Sequence, residues 1–412
     1  MPVRWTRIRR RLFLFLTVMG PAIITANIDN DAGGITTYSL AGAQYGYSLL
    51  WSLIPTTVSL IAIQEMCSRM GVVTGKGLAE LIRERFGVRV TLAMMSTLVL
   101  ANLANTAAEF AGVAASLGIF GVPKLVAVPL VAVLMGWLVV QGSYGFVERV
   151  FLVASAVYFV YIPSAFFADP PWGEVFRQTL RPSFRLDSGY LVMLVTVVGT
   201  TIAPWMQFYQ QSSVADKGIR IKELRYARFE NLIGGLMTDI VSFFIIVACA
   251  ATMFVHRVPI DTASDAALAL EPLAGKYASL FFAVGLLNAS VFASAVLPLS
   301  TAYAVCEGLG WETGVSRTPR EAPAFFGIYI GMITLGAGLI LLPRAPLLQI
   351  MFLSQTLNGL LLGPVLIIML ILINDREVMG VHVNSVSLNL VAWGTAAVMI
   401  ALSLLLLLTS FV

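Results

Sequence analysis

Charge is scarce in this chain of 412 residues: Asp, Glu, Lys and Arg together make up 12% of it, about half their usual share in soluble domains. Apolar residues fill 58%. That balance excludes a soluble globular protein and points to a polytopic membrane protein. Histidine is rarer still. His256 and His382 are the only two, both at the ends of apolar runs, which argues against an intramembrane histidine metal cluster or imidazole relay. The three cysteines, Cys67, Cys249 and Cys306, lie in or beside apolar runs with no metal-ligand spacing. They read as packing residues, not as a disulfide framework. A glycine-rich phosphate loop, a Ser-His-Asp arrangement and a nucleophile–base pair are also missing, so neither an enzyme nor a resident cofactor is expected. The net charge of +4 reads as cytoplasmic basic loops and not as a nucleic-acid footprint.

What the chain has instead is long apolar runs. Stretches of about 18 or more mostly apolar residues are long enough to cross a bilayer as helices. About eleven such spans are centred near residues 28, 58, 103, 132, 155, 202, 243, 290, 332, 360 and 398. The basic residues test the count. With a cytoplasmic N-terminus, only Lys124, Arg177, Arg181, Arg185, Arg257, Lys276 and Arg344 of the 26 Lys and Arg fall outside the cell. The positive-inside rule is then obeyed, and the C-terminus is extracellular. The basic head of MPVRWTRIRRRLFLFLTVMG runs into an apolar stretch that passes any small-residue cleavage site, so the first span is expected to be retained. The longest polar stretch, residues 168–188, is expected to be an external loop, with Pro170, Pro171 and Trp172 as an interfacial cap. The chain reads as one transporter domain, 1–412, in the plasma membrane, with the lipid bilayer around it and no obligate protein partner evident.

Two spans are interrupted. In the first, GPAIITANIDNDAGG, the polar residues Asn27, Asp29, Asn30 and Asp31 meet the pair Gly33-Gly34. A carboxylate at that depth costs several kcal/mol unless it faces a protein interior or wet cavity and has a partner, and the natural partner is a cation. The glycines lower helix propensity and are expected to unwind the backbone there. The alternative is a helix end with its acids in a short external loop; the apolar run from Ile35 to Leu50 argues against it.

In the sixth run, LVMLVTVVGTTIAPWMQFYQQSS, Pro204 removes a donor and frees the carbonyl of Thr200 as a potential ligand. The alternative is a simple proline kink. A break in span one and another five spans later fit an inverted five-plus-five repeat. Residues 13–168 (spans one to five) and 189–374 (six to ten) would form the halves, with 384–411 as an added eleventh span. The expected fold is all-α and of leucine-transporter type, with Asp31 and the Thr200 carbonyl meeting at the midplane.

The run Asp31-Ala32-Gly33-Gly34-Ile35, with Ala41-Gly42-Ala43 and Tyr45-Gly46-Tyr47-Ser48-Leu49-Leu50-Trp51 after it, resembles the first-helix signature of the Nramp divalent-metal transporters. There the motif is Asp-Pro-Gly-Asn. The resemblance continues at Ala203-Pro204-Trp205-Met206, where the family has Met-Pro-His-Asn, and at Gly285-Leu286-Leu287, Glu307-Gly308, Ser354-Gln355 and Met379-Gly380, covering nearly the whole chain. It implies a dry cage for manganese or iron, built from the Asp and Asn of the first motif, the Met of the second and a backbone carbonyl. Carried over by position, Asp31 keeps the carboxylate and the Thr200 carbonyl remains, while Gly34 replaces the Asn and Ala203 the Met. Gln355 stands where relatives complete the metal site.

Losing the thioether removes a preference for softer metals, and the wider pocket suits Mg²⁺, which keeps several waters. The resemblance is therefore nearest the Nramp-related magnesium transporters. Where the family has a histidine after the proline, this chain has Trp205, and Thr106 replaces an acid three residues before Glu109. The expected function is alternating-access import of Mg²⁺, also Mn²⁺, as a partly hydrated ion without proton coupling, driven by its gradient and the membrane potential. A proton-coupled Mn²⁺/Fe²⁺ importer is the alternative, and a sodium-coupled amino-acid symporter ranks below it. Asp29, Thr37, Gln207 and Asn358 are candidates for an outer ring around the ion, with Gln210 as a further donor to water. Met206 reads as packing; Glu109 and Asp239 are intramembrane acids for which a structural pairing is the competing role.

Overall fold

The computed structural model describes residues 30–141 and 159–410. The spans expected near 28 and 155 lie largely outside these residues, and Asp29 lies outside them too. Among the described residues the chain is helical, without strands. Eight helices are long and apolar enough to cross a membrane, and Lys124–Val140 is a shorter apolar one. The other nine expected span centres all fall on these elements.

The helices are α1 (Ala32–Tyr45), α2 (Leu50–Thr74), α3 (Leu78–Ile119), α4 (Lys124–Val140), α5 (Tyr161–Phe167) and α6 (Trp172–Leu180). After them come α7 (Ser188–Thr201), α8 (Pro204–Asp216), α9 (Leu224–Cys249), α10 (Ala278–Leu309), α11 (Pro323–Leu341), α12 (Leu347–Asn374) and α13 (Val386–Ser410). Their outer faces leave residues such as Leu130, Val133, Leu335 and Leu404 bare, as a surface facing lipid does. The three cysteines are free and buried among packed side chains.

Sequence explains the interruptions. Between α7 and α8, Ile202 leaves helical geometry (φ −125°, ψ 68°) and Ala203 is extended, so the chain restarts with Pro204 at the first position of α8. Proline is suited there because that N–H has no intrahelical partner. Gly87 (φ 76°, ψ 177°) bends the start of α3 away from its long span. Past Cys249, five residues wind as a π-helix (Ala250–Phe254) against α1. A Cβ on Gly42 would lie 2.5 Å from the Ile246 carbonyl oxygen, so only glycine lets the two backbones approach.

Two expectations need correction. Residues 168–188 are not wholly loop: α6 forms in their middle, its first turn tied by a Glu174–Arg177 ion pair at 2.5 Å and a Gln178–Glu174 bond at 2.7 Å. Trp172 lies against Phe166, with ring centroids 4.7 Å apart. The pair Gly33-Gly34 is not unwound. Both residues are helical, in the first turn of α1, because Asp31 caps that turn.

One end of the bundle is basic and tightly tied. Arg69 of α2 pairs with Glu65 at 3.0 Å, and Arg228 of α9 reaches the same carboxylate at 2.8 Å. Arg69 also donates to the carbonyls of His382 (2.7 Å) and Val383 (2.9 Å) and to the Asn384 side chain, holding the α12–α13 linker onto α2. Gln210 of α8 bonds Ser68 and Asn231, each at 2.9 Å, locking α8 to α2 and α9.

Candidate functional site

Asp31 precedes α1 in extended conformation (φ −66°, ψ −175°), and its Oδ1 accepts the N–H of Gly34 at 2.6 Å. The residue is 4% exposed. Gly34 thus meets Asp31 through its backbone, as a cap. The neighbouring Gly33 has a different reason to be small: a Cβ there would occupy the place of the Gln355 side-chain amide from α12. With no Cβ in the way, Gln355 brings Nε2 to 3.5 Å from Asp31 Oδ1.

Behind Gln355 stand two further amides. Its Oε1 accepts from Asn358 Nδ2 at 2.8 Å, and Asn358 exchanges reciprocal bonds with Asn105 of α3 at 2.9 and 3.1 Å. One helical turn on, Glu109 Oε2 accepts the N–H of Ala32 at 3.3 Å, which sets its carboxyl group beside that of Asp31. Glu109 Oε1 is buried with no hydrogen-bond partner. Among the described residues no three His, Cys, Asp or Glu side chains converge. Two carboxylates with neutral oxygens around them are therefore the donor set on offer.

The α7–α8 break adjoins this cluster through α12. A Cβ on Gly199 would lie 2.6 Å from the Gln355 carbonyl oxygen, so α7 and α12 touch backbone to backbone beside Thr200. Tyr38 of α1 shares a 2.7 Å bond with Thr201. Thr200 and Ala203 are both buried, and Pro204, lacking an N–H, leaves the Thr200 carbonyl without its helical donor. The Oγ1 atoms of Thr37 and Thr200 are buried and unpartnered. A cavity of about 470 Å³, lined by Leu40, Gln44, Met193, Asp261, Gln349 and Phe352 among others, opens between α1, α7 and α12 away from the basic end.

The remaining candidates separate. With its amide nitrogen turned to the backbone, Gln207 bonds the carbonyls of Ala203 (2.5 Å) and Pro204 (2.8 Å), stitching the break itself. Gln210 belongs to the tie at the basic end, away from Asp31. Met206 is buried in the core, as expected of a packing residue. Asp239 is buried on α9 beside Thr57, and none of the bonds described joins it to the cluster around Asp31. Asn105 was not among the sequence candidates. The available signal was an amide in an apolar span, four residues before Glu109 and so on its face of the helix.

The model of one family, described as natural resistance-associated macrophage protein-like, matches residues 22–409. This chain belongs to the Nramp family. Among curated Nramp relatives, a divalent metal cation transporter MntH of Verminephrobacter eiseniae is 26% identical over 98% of this chain and 91% of its own length. The protein of that name from Bacillus subtilis is 25% identical, covering 96% and 93%. Among solved structures, the Eremococcus coleocola manganese transporter, in complex with an aromatic bis-isothiourea substituted compound, superposes with a TM-score of 0.80 at 19% identity, covering 95% of this chain and 86% of that one. Mhp1, a nucleobase-cation-symport-1 family transporter in a closed conformation, gives 0.55 at 18%, covering 95% and 91%. Over the described residues this Nramp fold is thus all-α and of leucine-transporter type.

Proposed function

We propose that this Nramp-family chain is a multi-pass membrane transporter, not an enzyme, that carries divalent metal cations by alternating access. The observation that carries the reading is Asp31: a carboxylate buried where α1 begins, beside Glu109 and Gln355. The relatives' names support a divalent metal as the cargo. Asp31, Gly34, Thr200, Ala203 and Gln355 would line the ion's place, with Thr37 and Asn358 just outside it. Import follows from the sign of the membrane potential if the basic end is cytoplasmic, the N-terminus inside and the C-terminus outside. The repeats would run over 13–168 and 189–374, with 384–411 as the added helix.

At the finer level the donor set argues for Mg²⁺. Carboxylate, amide and backbone oxygens are hard ligands, and no thioether or asparagine occupies positions 203 and 34. A partly hydrated ion fits a pocket that offers few direct ligands. Uncoupled transport is supported by Trp205 in place of the family's histidine. Thr106 supports it too, because its hydroxyl donates to the Asn102 carbonyl at 2.7 Å on its own helix.

The second reading is proton-coupled uptake of Mn²⁺ or Fe²⁺. The comparisons weigh toward this one, since the neighbour in E. coleocola is named a manganese transporter, and Glu109 beside Asp31 supplies a second proton acceptor. Proteoliposomes loaded with ion- and pH-sensitive dyes separate the two. Mg²⁺ uptake without internal acidification, abolished in Asp31→Ala, is the outcome expected of the first. Uptake restricted to Mn²⁺, with acidification, overturns it and establishes the second.

A further inference from the structure

We propose that Asn105, Asn358 and Gln355 form a chain of amides that reverses as a unit, offering the site a donor when it is empty and an acceptor when a cation arrives. The proposal rests on the cation-transport reading above and names how that same site adapts to its cargo.

Each of the three side chains is almost fully buried, with 0%, 1% and 1% of Asn105, Asn358 and Gln355 exposed, so the amides bond chiefly to one another. Asn105 Nδ2 donates to Asn358 Oδ1, while Asn358 Nδ2 donates to both Asn105 Oδ1 and Gln355 Oε1. The outer end of Gln355 is then its NH₂ group, facing the Asp31 carboxylate. In that register Gln355 cannot ligate a cation, because its nitrogen has no lone pair to give.

An amide's oxygen and nitrogen ends are nearly alike in size, so exchanging them costs little space. Reversing Gln355 alone sets two NH₂ groups against each other at Asn358 and leaves buried donors unpaired, which is costly. Reversing all three keeps every bond of the chain with its direction inverted. The one thing that changes is the group shown to Asp31, now the Gln355 oxygen. The site thus gains an oxygen ligand without breaking its support, at a place where Gly34 and Ala203 supply no side-chain ligand. Gly33 leaves the room in which the Gln355 head sits.

The test is calorimetric titration of the full-length chain in detergent with MgCl₂ and with MnCl₂. Asn358→Leu and Asn358→Asp are compared in the native background and with Gln355→Ala. Leucine at 358 breaks the chain, and affinity is expected to fall about tenfold, as it does when an outer partner of a metal ligand is lost. A carboxylate at 358 only accepts, so it takes N–H groups from both Asn105 and Gln355 and fixes the Gln355 oxygen toward the ion. Affinity is then expected to equal or exceed that of the native chain. Both effects should vanish with Gln355→Ala. Asn105→Leu cuts the next link, keeps the test alive if Asn358→Leu fails to fold, and should give a smaller loss of the same sign.

An unchanged affinity in Asn358→Leu overturns the proposal. So does an Asn358→Asp protein as weak as Asn358→Leu, which would mean plain packing, or an Asp–Leu difference that survives without Gln355, which would mean charge acting at a distance. A native chain that binds neither ion overturns the transport reading itself, and the proposal with it.

Discussion

On the reading proposed above, Asp31 serves two purposes with one carboxylate: Oδ1 caps α1 through Gly34, and the group as a whole is the charge offered to a cation. The two are separable. Asp31→Asn keeps an acceptor for the cap and loses the charge, so a melting temperature near that of the native protein is expected, with uptake of both ions abolished. Asp31→Ala loses the cap as well and should be destabilised by about 1 kcal/mol more. Thermal melts beside liposome uptake check the pair; a transporting Asp31→Asn protein would remove Asp31 from the ion's path. At the second break, Ala203→Met restores the thioether expected from the family motif. The ratio of Mn²⁺ to Mg²⁺ uptake should then rise, by about tenfold if the sulfur reaches the ion, because a thioether favours the softer metal.

Glycines decide how elements approach one another, and the kind of atom a new Cβ meets sets the cost. At Gly33 the neighbour is the head of the Gln355 side chain, which can be displaced; at Gly199 it is the backbone of Gly359 and Gln355, which cannot. Gly199→Ala should therefore lower stability by about 1–3 kcal/mol or more through overpacking. Gly33→Ala must push the buried Gln355 head off its bond to Asn358, so it should lower the melt by less than Gly199→Ala does and weaken ion binding as well; thermal melts with calorimetric titration tell the two apart. At the basic end, Arg69 is buried and holds Glu65 and the α12–α13 linker. Breaking a buried pair costs about 3–5 kcal/mol, and Arg69→Met should fall at the low end of that range because Arg228 remains on Glu65.

At the scale of the whole molecule, the ties at the basic end join α2, α8, α9 and the α12–α13 linker. On the alternating-access reading proposed above, an ion leaving past α8 toward this end requires these ties to release. An uncoupled dication carrier needs no proton for this, since a potential of 100 mV contributes about 4.6 kcal/mol to moving two charges. In liposomes clamped by a potassium diffusion potential, Mg²⁺ uptake should rise when the interior is made negative and fall when the sign is reversed, with internal pH unchanged. A flux that follows the pH gradient and ignores the potential would refute uncoupled transport.

Composition and pattern alone determined that the chain is a bundle of membrane helices. Apolar length, the placement of Pro204 and the polar cluster before Gly33 are local properties, and the physics of a backbone in lipid acts on them directly. Asp31 stands out in the sequence for the same reason, as a polar group where lipid tolerates few, whereas Gln355 is singled out by its place in the Nramp resemblance. Other features were not local. That Gly33 makes room for Gln355 beside Asp31 depends on a side chain from α12, 324 positions along the chain from Asp31. That Gln207 mends the break while Gln210 ties the far end depends on which helices lie opposite one face of α8. The alliance of Asn105 with Asn358 joins residues 253 apart. No window of sequence contains both partners of such a contact, so only the tertiary structure could choose them.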